Sequence, residues 1–356
     1  MPTFMPTKSS TAAIVPFSPD INKYVRTLKN GYRLSTLKEI LSVADKNNFG
    51  VVAANIRSPW ILNAVLNAVW FTRSPIILEI AESETKYCEM PPARLSDLVH
   101  DGIERMIGKH GYSVPICLHH DHIQKDVDGC VNRSIEAGFS SLEVDLSKLP
   151  VAENAARCTE IVNKIHPLGI SLEIEEGEIG AASALADPAV ESKIAEYYTK
   201  VADAEALVSA VRPEAIAFFV GNGHGQYLKK PIIGFDRIKE ICDMARGYGV
   251  YGVLHGGTGL TPEDFNRAIH NGARKFNYAT ALSDIWFKYF PKPLLEKMDA
   301  FAKETGKARR YILNNFLPEV VKLDWTVAEK EIEAHMKFMI EKAFLSAGKA
   351  NLYPSK

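Results

Sequence analysis

The stretch YGVYGVLHGGTGLTPEDFNRAIHNG, residues 248–272, holds one complete strand–turn–helix unit. An apolar run leads into HGGTG, where glycine lets the chain turn tightly. Thr261 then stands at a helix N-cap, Pro262 at the first helical position and Gly272 at the stop. A strand that feeds straight into a capped helix is the repeating element of a parallel α/β fold.

Outward from this unit the pattern recurs. Further apolar runs are FGVVAANI (49–56), SPIILEIA (74–81), VPICLHHD (114–121), SSLEVDLS (140–147), GISLEIEE (169–176), EAIAFFVG (214–221) and KFNYAT (275–280). Their nearly continuous apolar character suits strands covered on both faces. Helical segments separate them, and TLKEILSVADKNN opens with the capping signature Thr36-x-x-Glu39. Eight such strands alternating with helices predict a (β/α)8 TIM barrel, with a doubly wound open sheet as the alternative. The chain after Ala281 reads as extra C-terminal helices that extend past the barrel. Residues 1–20 are expected to form an irregular N-terminal arm, packed on a neighbouring subunit. Residues 21–356 are expected to form one domain.

Bulk composition excludes some partners. Lys+Arg is 42 and Asp+Glu is 43, so no global charge favours nucleic acid or an anionic membrane. No run approaches the roughly 18 apolar residues of a membrane span. The opening residues lack the charged and apolar regions of a secretory signal. Five scattered cysteines without a CxxC pair point to reduced thiols in a cytoplasmic protein.

In a barrel, function gathers where strands end. Here the strand ends carry Asn55, His119-His120-Asp121-His122, Asp145, Glu173 through Glu176, His224, His255, and Asn277 with Thr280. A single histidine is ordinarily a hydrogen-bonded core or capping residue. His122, His224 and His255 at the ends of strands three, six and seven together favour Zn²⁺ or a similar divalent ion. Asp145 and Glu175 offer oxygen ligands to that ion or to a second one. Asp121 is offered beside His122, either to shuttle a proton or to support a histidine ligand. GNGHGQY and HGGTGL are glycine turns through which backbone N–H groups can approach a phosphate. Thr258 and Thr280 add hydroxyls.

These motifs form an ordered set. VPICLHHDH, LEIEEG, GNGHGQY, HGGTG and NYAT resemble, in sequence order, the motifs of class II aldolases for fructose and tagatose bisphosphates. The resemblance runs from about Tyr32 to Thr280. It implies a metal-dependent lyase that reversibly cleaves a phosphorylated ketose to dihydroxyacetone phosphate and an aldehyde. It further implies Asp121 as proton donor and acceptor, zinc on His122, His224 and His255, and Asp145 and Glu175 at an alternative metal position. Asn55 and the set Gly225, Gly256, Gly257, Thr258, Asn277, Tyr278, Ala279 and Thr280 are implied to hold the substrate and its phosphate. A monovalent cation near the phosphate loops, and a homodimer or homotetramer, also follow from the resemblance.

Three positions depart from the pattern. Ala181, Ala182 and Ser183 stand where the family has acids on a mobile loop, one of which deprotonates the ketone-derived carbon. Ala81 stands where a substrate-binding serine is common. Leu228 stands in place of a lysine, with Lys229 and Lys230 after it. Glu178 is the first candidate to replace the loop acid, ahead of Asp187 and Glu191. Two other readings stay open: a non-catalytic or divergent relative with a different phosphoketose ligand, and a metallohydrolase barrel.

Overall fold

The computed structural model describes residues 23–354, so the expected N-terminal arm lies outside the described residues. Eight strands follow one another around a closed barrel. They are β1 (Val51–Asn55), β2 (Ile76–Ala81), β3 (Ile116–Ile123), β4 (Ser141–Val144), β5 (Ser171–Glu176), β6 (Ala215–Phe218), β7 (Tyr251–Leu254) and β8 (Ala273–Tyr278). All neighbours pair in parallel, and β8 closes on β1 from Val51 opposite Lys275 to Ala54 opposite Tyr278. That ladder excludes the open sheet.

The strands are shorter than the apolar runs. β6 and β7 stop at Phe218 and Leu254, so GNGHG and HGGTG lie wholly in loops. β8 starts two residues earlier than expected and ends at Tyr278, which leaves Thr280 to begin a helix.

The helices in chain order are α1 (Leu37–Lys46), α2 (Pro59–Thr72), α3 (Glu82–Tyr87), α4 (Pro92–His110), α5 (Val127–Glu136), α6 (Val151–Ile165) and α7 (Pro188–Glu191). They continue as α8 (Val201–Val211), α9 (Phe235–Gly247), α10 (Pro262–His270), α11 (Thr280–Phe287), α12 (Lys292–Thr305), α13 (Leu317–Val320) and α14 (Thr326–Lys342). Both sequence-predicted caps form: Thr36 accepts the N–H of Glu39, and Thr261 accepts that of Asp264. No helix among the described residues is long and apolar enough to cross a membrane.

Strand alternation sorts the core into two layers. Even-numbered side chains such as Val52, Leu78, Leu118, Leu142, Leu172, Phe218 and Phe276 pack outward under the helices. Odd-numbered ones face the axis. At the bottom these are Val51, Ala53, Ile77, Cys117, Ala215 and Val253, closed from below by Leu37, Ile40 and Leu41 of α1. Burial of each large side chain of that plug contributes about 1.5–3 kcal/mol. The Tyr353 hydroxyl donates to the Ile40 carbonyl at 2.9 Å and ties the C-terminal end to the plug.

The C-terminal helices do extend past the barrel. Trp286 stacks on Trp60 at 5.7 Å, and Trp325 lies 5.2 Å from Trp286. The aromatics of DIWFKYF therefore serve packing. All five cysteines are free and buried.

Candidate active site

Higher in the barrel the odd-numbered positions turn polar. They are Asn55 and Glu79, His119 and Asp121, Glu143 and Asp145, Glu173 and Glu175, then His255, Lys275 and Asn277, all buried. Simple alternation would send His122 outward. Instead, the β3–β4 register slips between His120 and Ile123. His122 sits at φ 45°, a left-handed backbone that a non-glycine residue holds only under constraint. Its N–H donates to Glu143 Oε2 at 2.9 Å. This bulge lets neighbouring Asp121 and His122 both line the same cavity. His120, left facing outward, pairs with Ser134 of α5 at 2.6 Å.

The three expected histidines come together. His122, His224 and His255 each offer a nitrogen within 4.8 Å of the others, and His122 with Asp145 and Glu175 forms a second such group. His122 Nε2 lies 3.1 Å from His224 Nε2. His122 Nδ1 lies 3.4 Å from Asp145, and His255 Nδ1 lies 3.1 Å from Glu175. His122 Nδ1, His255 Nδ1, Glu143 Oε1 and Glu175 Oε2 are buried without a well-aligned hydrogen bond, and face one another at 3.1–3.5 Å. Buried polar atoms without well-aligned hydrogen bonds are uncommon in folded proteins, and their convergence with imidazoles suits a divalent cation. Burial and the neighbouring imidazoles push His224 down to about 3. For His122, burial opposes charge, but Glu143 and Asp121 outweigh it and hold the ring well above its ordinary value.

His224 is positioned by the altered loop. Its N–H donates to Gly180 O at 2.9 Å, and its carbonyl accepts the Ala182 N–H at 2.9 Å. The small residues that replace the expected acids thus form a short parallel bridge to a candidate ligand.

Asp121 accepts from Asn277 Nδ2 at 2.8 Å and from Asn55 Nδ2 at 3.5 Å. Burial disfavours its charge, yet His122 and Lys275 outweigh that and hold the carboxyl well below its usual range. Lys275 is the hub beneath. Its Nζ lies 2.9 Å from Glu173 Oε2, 3.4 Å from Glu79 and 3.7 Å from Asp121. Glu173 in turn faces His255 Nε2 at 3.0 Å. Lys275 thereby links the carboxylate beside the proposed metal to the carboxylate that orients one of its ligands. Sequence reasoning did not single out Glu79, Glu143 or Lys275. The available signal was their odd-numbered position within apolar strands.

The glycine turns face the same space. Asn55, Asp121, His122, Asp145, Glu175, His224, Gly225, Gly256, Gly257, Thr258, Asn277, Ala279 and Thr280 line a cavity of about 550 Å³. At Gly256, φ is +68° and an added Cβ would lie 2.2 Å from Gly223 O, so the two turns pack closely. α11 begins at Thr280 and points its N-terminus into this region, a suitable place for an anion. Tyr278 differs from the expectation. It is even-numbered, so its ring faces outward among Phe265 and Phe344, and its hydroxyl meets His335 at 2.8 Å.

The opposite wall is rebuilt. Ala81 supplies no hydroxyl. Arg57 is fixed on Glu84 at 2.6 Å and on Ser283 at 2.9 Å. Glu178 lines the cavity and lies 3.3 Å from Lys148. Asp187 is occupied in capping Ala189, and Glu191 in pairing with Lys229.

A closed parallel barrel with imidazoles and carboxylates at the C-terminal rim, beside a glycine-lined pocket, is the architecture of a barrel enzyme with a candidate metal site. The comparisons with known proteins narrow this. The family model for class-II fructose-bisphosphate aldolase matches residues 35–349, so the chain belongs to that family of metal-dependent lyases, and its activity is that of an aldolase. It is 30% identical over 250 residues to a fructose-bisphosphate aldolase of Staphylococcus aureus, covering 69% of this chain and 81% of that one. It is 30% identical to a fructose-bisphosphate aldolase of Geobacillus stearothermophilus, covering 74% and 86%. Among solved structures, the YdjI aldolase from Escherichia coli K12 superposes with a TM-score of 0.64 at 23% identity, covering 89% of this chain and 99% of that one. A putative fructose-1,6-biphosphate aldolase from Coccidioides immitis gives 0.66 at 23%, covering 88% and 97%. These two likenesses concern the fold.

Proposed function

We propose that the protein reversibly cleaves a ketose 1-phosphate or 1,6-bisphosphate to dihydroxyacetone phosphate and an aldehyde. The observation that carries this reading is the meeting of convergent imidazole and carboxylate atoms with a glycine-lined anion pocket at one barrel rim. His122, His224 and His255 would hold a divalent ion, zinc first, with Asp145 and Glu175 at a second position. Bound there, the ion supplies Lewis-acid stabilisation of the charge that develops when the carbon–carbon bond breaks.

The chain's own groups do the rest. Asp121 takes the proton from the hydroxyl on the carbon being cleaved, and returns it in condensation. Asn277 and Lys275 hold that carboxylate in place. Gly225, Gly256, Gly257, Thr258, Ala279 and Thr280 anchor the phosphate and fix the ketone half in orientation. A monovalent cation beside these loops would help to balance the phosphate. Glu178 exchanges the carbon-bound proton in condensation. Of the three carboxylates considered, it alone lines the cavity. A homodimer or homotetramer is what the family resemblance implies, and the five free cysteines fit a cytoplasmic setting.

The test is a cleavage screen across ketose 1-phosphates and 1,6-bisphosphates, with metal analysis of the same sample. Turnover of at least one substrate that scales with bound divalent ion is expected. Full metal occupancy without cleavage of any of them would sink the proposal.

A further inference from the structure

We propose that Glu84 is a positioning residue for Asp121: by drawing the Asn55 amide toward itself, it keeps Asp121 Oδ2 open to the substrate hydroxyl. This rests on the aldolase reading above, in which Asp121 takes the proton of that hydroxyl.

The contacts begin where β2 ends. Ala81 stands at the N-cap of α3 and makes no side-chain cap. Glu84, three residues on, accepts the Ala81 N–H on Oε2 at 3.1 Å. The same oxygen accepts from Asn55 Nδ2, at the end of β1, also at 3.1 Å. The second oxygen is committed elsewhere. Oε1 receives Arg57 Nε at 2.6 Å and Nη2 at 2.5 Å, and the Tyr87 hydroxyl donates to it at 3.4 Å. Arg57 is in turn tied to α11 through Ser283 at 2.9 Å. Asn55 and Glu84 are buried, and the Arg57 side chain is 10% exposed, so water competes little for these bonds. The position of the Glu84 carboxylate is therefore set from three sides.

The orientation of the Asn55 amide follows from its neighbours. Glu84 and Asp121 both present carboxylate oxygens, which accept and do not donate. The amide nitrogen must face the two of them, but it is not shared equally. Nδ2 lies 3.1 Å from Glu84 and 3.5 Å from Asp121 Oδ2, the second being at the outer limit of a hydrogen bond. The other oxygen of Asp121 is firmly held: Oδ1 accepts from Asn277 at 2.8 Å and faces Lys275 Nζ at 3.7 Å. Oδ2 is thus the oxygen better placed to receive a proton. Without an acceptor at position 84, the Asn55 amide would have one carboxylate left to serve and would close on Oδ2. The base would then have both oxygens engaged, and taking a proton would first require a hydrogen bond to break.

The test compares two double variants, Arg57→Met with Glu84→Gln and Arg57→Met with Glu84→Met. Both remove the ion pair, so neither leaves a buried charge unpaired. Only the first keeps an acceptor for Asn55. Cleavage is followed with the phosphoketose that zinc-loaded wild type turns over fastest, beside solvent-deuterium exchange into dihydroxyacetone phosphate. That exchange moves the carbon-bound proton and does not use Asp121. From the first variant to the second, cleavage kcat should fall about tenfold, the effect of one hydrogen bond, while KM, exchange and bound zinc stay within about twofold. Crystal structures should show Asn55 Nδ2 at about 2.9 Å from Asp121 Oδ2 in the second variant and not in the first. With Asn55→Ala added to both, the difference in kcat should vanish, because the effect passes through that amide. Wild-type protein that cleaves no phosphoketose removes the aldolase reading and this inference with it. With cleavage present, two variants that cleave alike, that lose cleavage and exchange together, or that leave Asn55 unmoved would overturn the positioning role while leaving the aldolase reading intact.

Discussion

The two walls of the cavity are built by different means. On the metal wall the carboxylates and the lysine come from strand interiors: Asp121, Glu143, Glu173, Glu175 and Lys275 are buried, and Lys275 bonds to Glu173 at 2.9 Å. The acceptor wall comes from loops and short helices. Its outer pair, Lys148 with Glu178, is 68% and 61% exposed, although Arg57 with Glu84 on the same wall is only 10% and 3% exposed. Charges on the first wall have no water to fall back on, so their partners are fixed by the fold. An exposed pair such as Lys148 with Glu178 can be exchanged with little cost to stability.

The sharpest way to break this contrast is at Asp121. Asp121→Asn should keep metal and ligand binding while kcat falls by about 10²–10⁴. Steady-state kinetics with metal analysis checks this. Loss of metal with an unchanged rate per bound ion would make the residue structural.

Next comes stability. Lys275→Met leaves Glu173, Glu79 and Asp121 without their shared cation in a dry interior, and should destabilise the protein by about 3–5 kcal/mol. Glu79→Gln added to that variant should recover part of the loss, because one buried carboxylate fewer needs a partner. Lys148→Met on the exposed wall should cost under about 1 kcal/mol. Denaturant unfolding of the three proteins measures the ratio, and equal effects would erase the distinction between the walls.

A modest effect on binding is expected at the phosphate. Thr280→Val removes one hydroxyl at the start of α11 and should weaken dihydroxyacetone phosphate by about 1–2 kcal/mol while leaving dihydroxyacetone nearly unaffected. Calorimetric titration with both ligands reads this. Equal weakening of the two would move the phosphate elsewhere.

The same division governs how much could be read from the sequence. The barrel was legible because each strand and cap is a local pattern, as the Thr36 and Thr261 caps show. The histidines were legible because strand ends must meet at one rim. The hub at Lys275 was less visible: a lysine and glutamates inside apolar runs mean little until the barrel brings odd positions to one axis. The His122 bulge could not be read, since a register slip arises between strands. Tyr278 was misplaced because a motif was read as a block, whereas alternation turns Asn277 inward and Tyr278 outward. The contacts of Arg57 with Glu84 and Ser283 join segments far apart in the chain, which no periodicity announces.

The central claim is that this rim, loaded with a divalent ion, activates the carbon–hydrogen bond of a phosphorylated ketone. Proton NMR of dihydroxyacetone phosphate in D₂O tests it without knowledge of the aldehyde. With zinc-loaded protein, one of the two hydrogens on the hydroxymethyl carbon should exchange stereospecifically, and chelation of the metal should stop the exchange. Exchange that persists after the metal is removed, or none with the sites filled, would contradict the account.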